Sequence, residues 1–197
     1  MHSPDYILKR VTPAAISPVS VDEVKVDQRI DHDEEDLQLQ ALIDAATAHA
    51  VGVVGKCLIN EVWSISVRCV PRSGRVHLPK TPVQAIESVA YYDHDNQIQS
   101  LLIADFYLYG DEDWSYIEPI SGVWPVLYER LDALTVTFKT GFGDTPESVP
   151  ANIRQAVRLM TGHWYANREA VVIGTITATL PMGVDLLLGM SRKGWVG

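Results

Sequence analysis

The spacing of apolar residues along the chain changes twice. From Leu39 to Val53 apolar side chains recur at three- and four-residue intervals, which predicts an amphipathic helix. From about residue 57 to 140 the interval becomes two, as in the run from Ile59 to Cys69, and this alternation predicts half-buried strands. Helical spacing returns after Pro150. The pattern therefore predicts two helical segments separated by a β-rich segment.

Turn and capping residues divide the chain further. Pro4, Pro13 and Pro18 each interrupt a helix, so the first residues are predicted to form an extended arm. Ser20 and Glu23 have the spacing of a capping box, which predicts the start of the first helix. The predicted segments are an N-terminal arm (1–19), a first helical part (20–56), a β insertion (57–144), a second helical part (145–190) and a C-terminal tail (191–197).

These segments predict an α+β fold. A helical core of antiparallel packed helices would carry an inserted small antiparallel β-sheet or barrel. The helices predicted at about 33–54 and 150–168 each have one apolar stripe, so we expect them to pack against each other. The turn sequence at 93–96 lies between two apolar runs and predicts a hairpin.

The net charge of the chain is negative. With 25 acidic and 16 basic residues the formal charge is −9, which gives no overall attraction to a phosphate backbone. Sequence-specific DNA binding is therefore not expected. An acidic wall can still border passing DNA, because like charge keeps a polyanion from adhering to it.

The cysteines and the N-terminus indicate an ordinary intracellular domain. Cys57 and Cys69 have no CxxC spacing and lie among apolar residues, so both are predicted to be buried thiols without zinc or a disulfide. The N-terminus lacks the charged and apolar regions of a signal peptide. No stretch approaches the roughly 20 apolar residues that span a bilayer, so we expect no membrane partner.

An acidic run precedes the first long helix. Asp31, His32, Asp33 and Asp36 together resemble a set of metal ligands. Carboxylates in a first helical turn are also favoured by the helix dipole, and no further His or Asp lies at a supporting spacing. We interpret the run as a helix start. The alternative is a small metal-dependent hydrolase that uses Asp31, His32 and Asp33.

We predict no catalytic residue, no metal and no cofactor. Nucleophile elbows, P-loops and dinucleotide-binding fingerprints are absent from the sequence. His163 has no positioned nucleophile or second base nearby in the sequence, and a lone histidine does no acid–base work. Arg168 and Glu169, close to it, are predicted to make salt bridges or contacts between subunits.

The C-terminal tail is predicted to dock on a partner. After Leu188 the helical stripe ends, yet Arg192, Lys193 and Trp195 follow, a mixture of cation and apolar anchor that suits a binding pocket. The alternative is that Trp195 folds back onto its own subunit. Partner-binding residues are thus predicted at Arg192, Lys193 and Trp195, together with Arg168 and Glu169.

Several short motifs follow one another in a distinctive order. They are Val11-Thr12-Pro13, the acidic run, Trp63, the hairpin at Val89–Asp93, Val136–Gly143, Val149–Ala156 and His163–Glu169. In this order the sequence resembles the phage head-tail connector (adaptor) proteins that are gp6-like, in the branch labelled the phiE125 gp8 family. The resemblance extends from about Val11 to Arg192.

The resemblance implies a structural protein. Such proteins form a ring, commonly a dodecamer, beneath the portal of a tailed phage or phage-like particle, including a gene transfer agent. The ring joins the portal protein to neck or tail-completion proteins, and double-stranded DNA passes through it. The expected location is the head–tail interface of the virion, after assembly in the host cytoplasm. The alternative in the same class is a neck or tail-completion protein that contacts the tail tube.

Overall fold

The computed structural model describes residues 6–167, 182–192 and 194. These residues form two compact units. We call residues 6–14 and 60–141 the β unit, and residues 15–59, 142–167 and 182–194 the helical unit.

The helical unit contains four described helices: α1 (Val21–Gln28), α2 (Asp36–Val54), α3 (Ala151–Ala166) and α4 (Met182–Gly189). The β unit contains eight described strands: β1 (Tyr6–Thr12), β2 (Glu61–Val67), β3 (Val76–His77), β4 (Val83–Tyr92), β5 (Ile98–Leu101), β6 (Phe106–Gly110), β7 (Ser115–Pro119) and β8 (Leu134–Thr140). The predicted α+β class is confirmed.

The capping box at the start of α1 forms as predicted. The Ser20 hydroxyl accepts a hydrogen bond from the Glu23 backbone N–H at 3.2 Å, and the Glu23 carboxylate accepts one from the Ser20 N–H at 2.9 Å. Both donors would otherwise lack a partner within the helix. A cap of this kind stabilises a helix by about 1 kcal/mol.

Helices α2 and α3 pack against each other, as their apolar stripes predict. On α2 the buried residues follow helical spacing, with Leu39, Ile43, Ala46, Ala50 and Val54 fully buried. Their partners on α3 and α4 belong to the same core, which includes the buried residues Ile153, Ala156, Val157, Met160, Trp164, Val184 and Leu188. The helical unit is therefore held together by one apolar core.

Helix α2 is as long and apolar as a helix that crosses a membrane. By length and composition alone α2 could cross a membrane, which differs from the expectation that no stretch approaches that length and apolarity. The core helix of a globular unit can have the same length and apolarity, and the fully buried stripe of α2 lies in the core of the helical unit. The packing of α2 explains its hydropathy without a bilayer.

The strands of the β unit form two open antiparallel sheets. One has five strands in the order β1-β2-β8-β4-β5, and the other has three in the order β3-β7-β6. Sheets rather than a closed barrel are thus present. In the central strand β8, Leu134, Val136 and Phe138 are fully buried and alternate with partly exposed residues, which is the pattern of a strand with one face in the core.

The N-terminal segment is extended, and part of it belongs to a sheet. Tyr6 lies opposite Val67 and Arg10 lies opposite Trp63 in the antiparallel β1–β2 pair. Strand β1 forms an edge of the five-stranded sheet. Residues 6–12 therefore pair with β2 as an edge strand of the β unit.

The prediction of two buried thiols is right for one cysteine and wrong for the other. Cys57 is 3% exposed and lies in the helical unit. Cys69 is exposed. The alternation of β2 ends at Val67, so the period of two no longer applies to Cys69 and the chain turns away from the core there.

Candidate functional site

Of the five predicted docking residues, Arg192 is the one that the described part of the chain contains. It is exposed and lies in the short segment after α4, which ends at Gly189. Arg168, Glu169, Lys193 and Trp195 lie outside the described residues, so their role in partner binding stays a prediction.

Ser191, the first residue of the C-terminal tail, is hydrogen-bonded to helix α3 of the helical unit. The Asn152 side-chain amide, on α3, donates hydrogen bonds to the Leu187 carbonyl at 2.7 Å and to the Ser191 hydroxyl at 2.8 Å. Leu188, beside them, is fully buried. Ser191 is therefore held against α3, immediately before Arg192.

Helix α4 carries apolar side chains on two sides. Val184 and Leu188 are buried, whereas Leu186 and Met190 remain 71% and 73% exposed. Exposed apolar side chains beside a cationic tail are typical of an interaction surface. This surface adjoins the predicted docking residue Arg192.

The acidic run before α2 is arranged around a lysine. The Lys25 ammonium, on α1, forms ion pairs with the carboxylates of Asp33 and Asp36, the second at 2.6 Å. His32 Nδ1 lies 3.0 Å from the Glu34 carboxylate, and Asp31 is exposed. Lys25 neutralises Asp33, one of the three residues that the hydrolase alternative uses, as well as Asp36, so the geometry argues against that alternative.

The ion pairs shift the pKa values of both partners. The hydrogen bond from Lys25 to Asp33, reinforced by Asp36, raises the pKa of the Lys25 ammonium well above its usual range. The same hydrogen bond lowers the pKa of the Asp33 carboxyl below its usual range. A raised lysine pKa stabilises the fold until pH rises through it, and a lowered aspartate pKa stabilises it until pH falls through it. The cluster therefore stabilises the fold across the neutral range and weakens in acid.

Removing the carboxylates should cost more stability than removing the lysine. The Lys25 side chain is only 11% exposed, whereas Asp33 and Asp36 are 91% and 42% exposed and can be solvated without it. We expect a lower melting temperature for the Asp33→Asn, Asp36→Asn double variant than for Lys25→Met, because only the former leaves a buried ammonium without counter-charge. Thermal unfolding at neutral pH measures this, and the opposite order would contradict it.

His163 and its neighbours complete the end of α3. Asn167 donates a side-chain hydrogen bond to the His163 carbonyl at 2.8 Å, and its amide lies 3.4 Å from the His163 ring nitrogen Nδ1. Trp164 is 4% exposed and belongs to the core. Within the described residues this polar cluster thus contributes to the ending of a helix.

A cleft of about 470 Å³ opens beside His163, and its charged groups are paired with each other. The Arg158 guanidinium donates to the Asp27 carboxylate, at 2.6 Å for the Nε–Oδ2 contact. On the same face of α3, Arg154 donates to the Pro18 carbonyl at 3.1 Å and pairs with Glu23. The hydrogen bond to Asp27 raises the pKa of Arg158. These bidentate and bridging contacts tie α1 to α3.

The turn between β4 and β5 brings together Asp93, His94 and Asp95. The Asp93 carboxylate accepts hydrogen bonds from the backbone N–H groups of Asp95 and Gln97, both at 3.0 Å, and from the Gln99 side chain at 2.7 Å. These bonds, that from Gln97 foremost, lower the pKa of Asp93. The carboxylate is thus used by the predicted hairpin turn, which is confirmed.

The three-stranded sheet presents a surface that the sequence prediction missed. Tyr107 and Tyr109 on β6, Trp114 before β7 and Tyr116 on β7 form a continuous cluster of rings, which we call the aromatic face. Tyr107, Tyr109 and Trp114 are 46%, 39% and 37% exposed. The alternate residues of the same strands point into the core. The outer face of this sheet is therefore aromatic where polar residues are usual.

The rings of the aromatic face are ordered by strand pairing. Tyr109 and Tyr116 lie directly opposite each other in the β6–β7 ladder, with ring centroids 5.3 Å apart and nearly parallel planes. Trp114 stacks on Tyr116 at 5.7 Å, and Tyr107 lies 5.6 Å from Tyr109. Such offset contacts are favourable in themselves. The four rings therefore contact one another without a partner.

A guanidinium group of the chain itself lies on the aromatic face. The Arg75 guanidinium lies over the Tyr116 ring, 4.7 Å from its centroid, and its Nε donates to the Glu118 carboxylate at 3.1 Å. Partial burial, with the neighbouring Glu118 carboxylate, raises the pKa of the Tyr109 hydroxyl. In the sequence, aromatic residues at alternate positions, 107 and 109 and then 114 and 116, mark one side of each segment without specifying which segment lies opposite.

One protein-family model matches part of the chain. Residues 18–104 match the family model of the phage gp6-like head-tail connector proteins. No curated protein matches the chain.

Solved structures share the fold over almost the whole chain. A chain from the neck of an empty GTA particle, computed with C6 symmetry, has 22% sequence identity and a TM-score of 0.79, covering 96% of this chain and 97% of that chain. A chain from the virion of a native gene transfer agent (GTA) particle has 24% identity, the same TM-score and the same coverage. A chain from the neck of a native GTA particle computed with C12 symmetry has 22% identity, a TM-score of 0.73 and the same coverage.

Proposed function

We propose that the protein is a subunit of a connector ring beneath the portal of a tailed phage or phage-like particle, because residues 18–104 match the family model of the phage gp6-like head-tail connector proteins. The ring joins the head to the tail, and double-stranded DNA passes through it. The role is structural and requires no catalytic group or cofactor. The connector identity inferred from the order of sequence motifs is confirmed by the family match.

The family match is the observation that carries the proposal. The fold supports it, because 96% of the chain superposes on chains that come from the neck or virion of GTA particles. Two of those necks were computed with C6 and C12 symmetry, which supports a ring of copies and, in our proposal, a dodecamer. The subunit would assemble in the host cytoplasm and remain in the virion at the head–tail interface.

Mass measurement of the purified protein, alone and mixed with the portal protein, tests the proposal. We expect either a ring on its own or a ring that forms on the portal, with a mass that is a multiple of the 21.8 kDa subunit. A parallel mixture with the tail-tube protein tests the alternative within the same class. Attachment to the tail tube without attachment to the portal would favour a tail-completion protein.

The assembled ring should bind duplex DNA weakly. The chain has a formal charge of −9, and a channel lined by lysine and arginine would instead hold DNA by releasing counterions. We expect the bore-facing surface to be acidic or neutral, with no measurable binding of a short duplex at moderate salt. Fluorescence anisotropy with a labelled duplex across a salt series measures it. Tight binding that falls steeply with salt would contradict this prediction.

A further inference from the structure

The aromatic face has two properties of a surface that binds polypeptides: its rings are packed against one another, and they are exposed. Three of its rings belong to residues of the β6–β7 ladder and the fourth, Trp114, stacks on Tyr116, so a partner need not order them. Three of the rings remain more than one-third exposed, the least of them Trp114 at 37%. Exposed tyrosine and tryptophan side chains are enriched at protein interfaces because each buries much apolar area with little loss of rotamer freedom.

The charges around this face select a cationic partner. Residues 105–119 contain five acidic side chains and neither lysine nor arginine: Asp105, Asp111, Glu112, Asp113 and Glu118. A phosphate-bearing ligand would be repelled by this excess of carboxylates. Arg75 shows the favoured arrangement within the chain itself, with its guanidinium over a tyrosine ring and against Glu118. Aromatic faces attract guanidinium and ammonium groups in this way.

The C-terminal segment of the chain has the complementary composition. Residues 192–197 contain Arg192, Lys193 and Trp195 and no acidic residue. Its first residue, Arg192, is exposed and follows the anchor point at Ser191. Fully extended, six residues reach at most about 20 Å, enough to cross a face of a few side chains. The segment therefore offers two cations and one large aromatic anchor.

We propose that the aromatic face of one subunit receives the C-terminal segment, residues 192–197, of a neighbouring copy of the chain. This inference rests on the proposed ring, and the contact would join each subunit of that ring to the next. A segment on one copy and a different surface on the next form a heterologous interface, which is the kind that generates rings. Trp195 would lie on the rings of Tyr109 and Trp114, and the cations would meet the acidic residues around them.

Binding of an isolated peptide tests the contact directly. The probe is a labelled peptide of residues 190–197, titrated into protein that lacks residues 192–197. We expect saturable binding that weakens at least tenfold for the Arg192→Glu, Lys193→Glu peptide, and also weakens at least tenfold when the protein carries Tyr109→Thr and Trp114→Thr. The matched control is Tyr128→Thr, which removes a comparably exposed tyrosine of the β unit, 39% exposed, and should leave binding unchanged. Equal binding by all three proteins would overturn the proposal.

A mixing experiment distinguishes a contact between copies from one within a single copy. One protein lacks residues 192–197 and keeps the aromatic face, and the other carries Tyr109→Thr and Trp114→Thr and keeps the segment. Each alone should fail to form rings, with an unchanged melting temperature, and the mixture should form pairs, because one competent contact is restored. Rings formed by the double variant alone, or a mixture without pairs, would overturn the proposal. If the wild type neither forms rings nor attaches to the portal, the proposed function itself fails.

Discussion

Replacing Trp164 with alanine is expected to lower the free energy of unfolding by about 3–5 kcal/mol. Trp164 is 4% exposed and packs in the single core of the helical unit. Its removal leaves a large cavity whose lining loses apolar contacts, and the surrounding helices can close it only in part. The Trp164 indole N–H has no hydrogen-bond partner among the described residues, so the loss comes from packing.

Denaturant unfolding of matched variants measures the effect. Trp164→Phe keeps most of the ring volume and removes the buried N–H, so it should cost much less than Trp164→Ala. Gln155→Ala lies on the exposed side of the same helix and should change stability by less than about 0.5 kcal/mol. An alanine variant at position 164 with an unchanged midpoint would show that the tryptophan is outside the core.

Deleting residues 192–197 is expected to separate assembly from stability. The truncation begins after Ser191, which Asn152 holds, and Arg192 is exposed. The free energy of unfolding should therefore change by less than about 0.5 kcal/mol. Loss of a tryptophan anchor with its cations should weaken ring formation or portal attachment by at least about thirtyfold, as for loss of 2 kcal/mol at an interface hot spot.

A shorter deletion provides the control for the tail. Removing only Val196 and Gly197 keeps both cations and Trp195, and should leave assembly close to that of the full chain. Sedimentation of each protein, alone and with portal, compares assembly, and thermal unfolding compares stability. A truncated protein that unfolds more easily but assembles normally would show that the tail braces its own subunit.

Local sequence rules predicted the helices and strands where nearby residues determine the structure. The Ser20–Glu23 capping box forms as predicted, because both partners lie within four residues of each other. The hairpin turn at 93–96 forms between β4 and β5 as predicted, because the residues that specify it are neighbours in the sequence. The packing of α2 on α3 followed from two apolar stripes that each need a cover.

Features that depend on distant residues were not predictable in this way. The pairing of β1 with β2 joins Tyr6 to Val67, and nothing local in either segment specifies that partner. Similarly, the acidic run before α2 could be read as metal ligands until the fold placed Lys25 between Asp33 and Asp36. Cys69 is exposed because the strand ends before it, and the sequence pattern does not mark that end.

The two candidate contact surfaces, the C-terminal tail and the aromatic face, also differ in whether the sequence alone indicates them. The pattern of apolar residues and the order of motifs by themselves indicated the α+β class, the resemblance to head-tail connector proteins and a tail with two cations and Trp195, because these depend on which residues occur and in what order. Only the tertiary structure decided that Tyr109 and Trp114 share an exposed face with Tyr116. The register of β6 against β7 sets which side chains become neighbours, and burial of the opposite side of that sheet leaves these rings facing solvent.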